Sequence, residues 1–130
     1  MHITSIIGDY TYSKIMSEVA EDLNKRFKGK VTMTNHYCQR NQLYERNKLD
    51  VMEKDIASAD FVFVCTVFDD AVIDLLRKYA RPDRNYLILS SDTNGMKLTR
   101  LGRFCLGETI DSFADSKLVK VLLLYFYLAL

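Results

Sequence analysis

The sequence predicts a single α/β domain, a doubly wound and mostly parallel sheet with helices on both faces, and three observations lead there. Short runs rich in β-branched and aromatic residues alternate with segments whose apolar residues recur at helical spacing. One run, Phe61–Phe68 (FVFVCTVF), is continuously apolar, as expected of a central parallel strand buried on both faces. The chain has 130 residues, 48% of them apolar, which supplies the core of one domain spanning 1–130 but not of two.

The elements follow in order. Ile3–Ile7 is a first buried strand that stops at Gly8-Asp9. Ser13–Phe27 carries Ile15, Met16, Val19, Ala20, Leu23 and Phe27 at helical spacing, with Ser13 placed to cap its start and Gly29 just past its end. Lys30–Tyr37 alternates, with Val31, Met33, Asn35 and Tyr37 on one side and Thr32, Thr34 and His36 on the other, as in a strand near a sheet edge. Leu49, Val51, Met52 and Ile56 mark a second helix ending before Asp60. Asp69-Asp70 ends Phe61–Phe68, Ala71–Tyr79 supplies the apolar stripe of a third helix, and Arg81-Pro82-Asp83 breaks that helix. Tyr86–Leu89 is a fourth strand closed by Ser90-Ser91-Asp92; helical patterns resume near Met96 and again near Asp111. Strands alternating with helices imply right-handed crossovers and hence a flavodoxin- or Rossmann-like sheet, although they do not fix the strand order.

Eighteen basic and seventeen acidic residues nearly cancel, so the overall basic excess of a nonspecific nucleic-acid binder is missing and any charge effect is local. Cys38, Cys65 and Cys105 are odd in number and have no CxxC spacing. Cys65, inside its apolar run, reads as a small buried hydrophobe rather than a nucleophile. With no signal-peptide pattern in MHITSIIG, the expected location is the cytoplasm. Leu118–Leu130 (LVKVLLLYFYLAL) is almost wholly apolar but shorter than the about 20 residues that span a bilayer. It reads as a buried helix or as a surface that packs on further domains or on a second copy.

In open α/β sheets ligands bind beyond the carboxyl ends of the strands. Three such ends are polar here: Gly8-Asp9-Tyr10, Asp69-Asp70 and Ser90–Gly95. Asp9, Asp69 and Asp92 would suit Mg²⁺ if they converged, while each is equally explained as a helix cap. Neither GxGxxG nor GxxxxGK[ST] is present. His36 and Cys38, two apart on a strand, are at most half of a zinc site, and no second pair completes it. On a helix beginning near Met96, Leu98, Leu101 and Cys105 would face the core with Phe104 beside them, while Lys97, Arg100 and Arg103 would form the opposite, basic side at the carboxyl edge of the sheet. That side, with Asn94 and Ser91 nearby, is a candidate anion site or a solvated basic face.

The string Met96–Phe104 (MKLTRLGRF) resembles the segment near the start of the large, porphyrin-binding subunit of magnesium chelatase, a family that includes the cobaltochelatase large subunit. The preceding strand Ala59–Val64 and the end Phe68-Asp69-Asp70 fit the same outline. The resemblance covers most of residues 1–108 in outline, with only the nine-residue segment specific. It implies a part in inserting Mg²⁺ into protoporphyrin IX on the route to chlorophylls, with an ATPase motor of two other subunits as partner. Family members are many times longer, and the regions believed to hold porphyrin and metal lie in later domains, so the resemblance assigns no catalytic residue or resident cofactor to this chain. The expected entity is an N-terminal domain, or a free-standing relative of it, acting in porphyrin capture or subunit docking. The alternatives are a flavodoxin-like protein binding Mg²⁺ and a nucleotide or small molecule, and a structural module that oligomerises through Leu118–Leu130.

Overall fold

A computed structural model describes residues 1–38, 47–90, 93–102 and 104–106. Its elements are β1 (His2–Ile7), a 3-10 turn (Tyr10–Tyr12), α1 (Ser13–Arg26), β2 (Thr32–Tyr37), α2 (Lys48–Ser58), β3 (Phe61–Cys65), α3 (Asp70–Tyr79), β4 (Asn85–Leu89), α4 (Thr93–Met96), β5 (Arg100–Leu101) and β6 (Phe104–Cys105). They form one six-stranded sheet in the order β2-β1-β3-β4-β5-β6. The first four strands run parallel, and β5 and β6 are antiparallel to their neighbours. The mostly parallel α/β sheet is therefore as expected, and β2 lies at its edge as the alternation of Lys30–Tyr37 implies.

Side chains show which helix lies on which face. Asn35 Nδ2 donates to the Met16 carbonyl of α1 at 3.1 Å, and the Tyr37 hydroxyl donates to that of Ser13 at 3.3 Å. The intervening His36 meets Asp55 of α2 at 2.8 Å on the other face, where the Thr4 hydroxyl also donates to the Asp55 carbonyl. From β1 the chain crosses to β2 over one face and returns to β3 over the other, so the order reverses beside β1.

The core lies on the α2–α3 face, where Ile6, Val62, Val64, Tyr86 and Ile88 of the sheet pack with Met52, Ile56, Val72, Ile73 and Leu76. The α1 face is thinner. α1 has no buried residue; Met16, Ala20 and Leu23 are half-buried, whereas Ile15, Val19 and Phe27, expected in the same apolar stripe, are exposed.

Three expectations are corrected. The strand expected over Phe61–Phe68 ends at Cys65, because Thr66 turns into the left-handed region at φ 56°. Its residues alternate between buried (Val62, Val64) and half-buried (Phe61, Phe63, Cys65), and it is β1 that is buried from Ile3 to Ile7. Ser13 does not cap α1: it is the first helical residue, and the side-chain cap belongs to Asp9 at the preceding turn.

The third correction concerns the helix expected from Met96. α4 ends there, Lys97 and Leu98 turn, and β5 and β6 pair antiparallel as a β-hairpin. Leu101 pairs with Phe104, so the tight hairpin connection opens at Gly102, at φ +58°. Such loops need a positive φ that glycine adopts without strain, so Gly102 makes a turn rather than weakening a helix. Asn85 Oδ1 accepts from the Gly102 N–H at 2.8 Å, and the fully buried Thr99 accepts from the Ile88 N–H, fastening the hairpin to β4.

Candidate functional site

Two places in the sheet gather polar and exposed chemistry, and they lie at opposite ends of its strands. At the carboxyl end, β1 and β3 finish side by side at the order reversal. The Gly8 N–H donates to the Cys65 carbonyl at 2.9 Å. A Cβ on Gly8 would stand 2.0 Å from the Thr66 carbonyl oxygen, so only glycine fits this approach. The Asp9 carboxylate accepts from the Thr11 N–H at 2.8 Å, a bond that holds its pKa below the usual carboxylate value. Asp69 caps α3 in the same manner, accepting from the Ala71 N–H at 2.9 Å.

Around these caps stand aromatic rings. Tyr10 packs edge-on against Tyr37 with centroids 5.3 Å apart. Tyr10, Tyr12 and Phe68 remain 53%, 50% and 61% exposed. Cys38 sits beneath this edge, its thiol pushed up to about 12 by burial and, secondarily, by the Asp69 charge, so it is no nucleophile at neutral pH.

At the amino end of β4, the hairpin and the α3–β4 turn flank a half-open cavity of about 180 Å³ lined by Ala80, Arg81, Pro82, Tyr86, Lys97, Leu98, Arg100 and Cys105. Antiparallel pairing of Arg100 with Tyr86 brings the Met96–Phe104 segment back here. Arg100 and Lys97 are half-buried, and Arg100 Nη2 approaches Cys105 Sγ at 3.6 Å. Tyr86 is 1% exposed, and its hydroxyl has no hydrogen-bond partner among the described residues. Burial raises its pKa, and Arg84 and Arg81 pull it part of the way back. The Arg84 guanidinium is itself turned to the carbonyls of Ile56 and Ala57 at the end of α2.

The expected site residues are thus divided. Lys97 and Arg100 meet, but at the amino end of β4 rather than the carboxyl edge; they share a cavity wall with Leu98 and Cys105 instead of opposing them, and Cys105 is exposed. Asn94 follows β4 near its carboxyl end, while Ser91, Asp92 and Arg103 lie outside the described residues, as do the second expected helix and Leu118–Leu130. Asp9 and Asp69 share the carboxyl edge and act as caps. Among the described residues no three His, Cys, Asp or Glu side chains converge to hold a metal ion. Cys65 is half-buried rather than buried. The sequence reading missed Arg81 and Tyr86, because their meeting with Arg100 depends on the hairpin. It also missed the exposed rings, whose signal is the placement of Tyr10, Tyr12 and Phe68 just beyond strand ends.

Fold and site define a mostly parallel α/β domain with an aromatic carboxyl edge and a basic cavity beneath an antiparallel hairpin. Residues 2–125 match the family described as Domain of unknown function (DUF3479), and the chain belongs to that family. No curated protein matches it. Among solved structures it is similar to the glutaminase domain of Trypanosoma brucei CTPS with bound acivicin, at 18% identity and a TM-score of 0.37, over 75% of this chain. The chain covers 38% of that structure's length, and so slight a likeness says nothing of its site. No helix of the described residues is long and apolar enough to cross a membrane.

Proposed function

We propose that the chain serves as the N-terminal domain of a magnesium chelatase large subunit, docking other domains or the ATPase motor subunits during Mg²⁺ insertion into protoporphyrin IX. The DUF3479 domain, which is found in the N-terminal region of magnesium chelatase and cobaltochelatase large subunits, supports this reading. The observation that carries it is the position of Met96–Phe104. The segment resembling the chelatases forms the hairpin at one end of the sheet, with Lys97 and Arg100 half-buried there. Docking is favoured over enclosure of the tetrapyrrole because a cavity of about 180 Å³ is smaller than the roughly 300–1,000 Å³ of pockets that engulf drug-sized ligands. Surface capture is the second reading, supported by Tyr10, Tyr12 and Phe68, whose exposed rings offer faces on which a planar macrocycle can stack.

A pull-down of the purified motor subunits by the chain tests docking. Retention that is lost in an Arg100→Glu variant is expected, and no retention would sink the docking role. Protoporphyrin IX titration, followed by fluorescence quenching, tests capture: saturable quenching weakened by Tyr10→Ala and Phe68→Ala is expected, and linear quenching would remove it. The rival Mg²⁺–nucleotide reading predicts a rise in melting temperature with those ligands. Its two described carboxylates already act as caps.

A further inference from the structure

The cavity beneath the hairpin has a composition that its own contacts leave unexplained. Three of its eight lining residues, Arg81, Lys97 and Arg100, are cationic and none is acidic. No carboxylate pairs with any of the three among the described residues. Arg100 donates from its side chain to the Cys105 thiol sulfur, a weak acceptor. The fourth polar group belongs to Tyr86, 1% exposed, whose hydroxyl has the Arg84 guanidinium near it but no partner at hydrogen-bond geometry among the described residues. Native structures rarely leave a buried hydroxyl unsatisfied, and an orphaned one points to a missing acceptor or donor. Water alone would satisfy the hydroxyl, but it would leave the half-buried Lys97 and Arg100 without an anionic partner among the described residues, with the exposed Arg81 beside them.

We propose that this cavity is a binding site for a small oxyanion, the carboxylate or phosphate group of a ligand. Arg81 and Arg100 supply the forked donors suited to such a group, Lys97 a point charge, and the Tyr86 hydroxyl a buried donor. A volume of about 180 Å³ admits an anionic group and ordered water but not a whole drug-sized molecule. The bound species is therefore a free small anion or one charged end of a larger ligand. The site is distinct from the strand-end caps Asp9 and Asp69, and it does not rest on the chelatase reading, which the pull-down addresses separately.

The test is a titration of the full 130-residue chain with inorganic phosphate and, separately, acetate, with chloride holding the ionic strength constant and backbone amide shifts as the readout. Saturable shifts at Arg81, Tyr86, Lys97–Arg100 and Cys105 are expected in at least one arm, and the arm that saturates names the group. Lys97→Gln and Arg100→Gln should each weaken binding roughly tenfold. Tyr86→Phe separates ligation from packing: it should raise the melting temperature of the anion-free protein while diminishing the further rise that the anion brings. Linear shifts in both arms, binding unchanged by Lys97→Gln and Arg100→Gln, or a Tyr86→Phe variant that binds as tightly as the parent overturns the proposal.

Discussion

Gly8 and Cys38 show how single positions at the carboxyl edge are constrained by what lies beneath them. At Gly8 the constraint is steric, because the atom an alanine would add meets a backbone oxygen at 2.0 Å and not a side chain able to swing aside. Gly8→Ala should therefore cost about 3 kcal/mol, read as a lower urea midpoint with an unchanged slope. At Cys38 the constraint is solvation. Its folded pKa of about 12 lies above the 9.0 of an unperturbed thiol, so the unfolded chain releases this proton first as pH rises. Between about pH 9 and 12 the native state binds more protons than the unfolded one, and stability falls with rising pH. Burial pushes Cys65, Tyr37 and Tyr86 in the same direction, which steepens the alkaline loss. Urea melts across this range should show the decline, and Cys38→Ala should flatten part of it. A Cys38→Ala profile as steep as the parent's would assign the loss to other groups, among them Cys65, Tyr37, Tyr86 and Lys78, whose pKa the Glu53 carboxylate raises.

Among the elements, the hairpin most clearly separates what local sequence conveys from what it leaves open. Leu98, Leu101 and Cys105 at spacings of three and four satisfy a helical period, yet Thr99 and Leu101, two apart, equally fit one face of a strand that stops at Gly102. Tertiary contacts decide between them. Thr99 bonds across to Ile88 and Asn85 accepts from Gly102, partners at least eleven residues away that no local window contains. The other elements were legible because their patterns are longer and their breakers unambiguous. Arg81-Pro82-Asp83 ends α3 as Pro82 requires, and Gly29, at φ +77°, follows α1 in the left-handed conformation usual past a helix end. The candidate site was half legible for the same reason: Lys97 and Arg100 are visible in sequence as cations, but not as neighbours of Arg81 and Tyr86. Since nothing lies within 4 Å of a Cβ on Gly102, Gly102→Ala should cost only the backbone strain of its φ, about 1 kcal/mol. Urea denaturation will measure it, and a loss several times larger would mean that the hairpin rearranges.

Across the whole molecule, stability is divided unevenly between the two faces of the sheet. Ile88 is fully buried among α2 and α3 side chains, whereas Ile15 on α1 is 58% exposed. Ile88→Ala should destabilise by about 3 kcal/mol, while Ile15→Ser should stay within about 0.5 kcal/mol, as paired urea melts can check. Loss of several kcal/mol from Ile15→Ser would show that the α1 face is as firmly packed as its opposite.

The placement of β1 between β2 and β3 also has a consequence for synthesis. Ile3 pairs with Met33 on one side and Phe61 on the other, so the most buried strand is made before both neighbours and the second arrives 58 residues later. At about 5–20 residues per second, a ribosome takes roughly 3–12 s to polymerise that interval. During it, β1 exposes an unpaired edge and the apolar side of Ile6, which lacks Val62 and Val64 to pack against. The nascent chain is thus open to edge-to-edge pairing until β3 emerges, and its yield in cells depends on how well that interval is guarded.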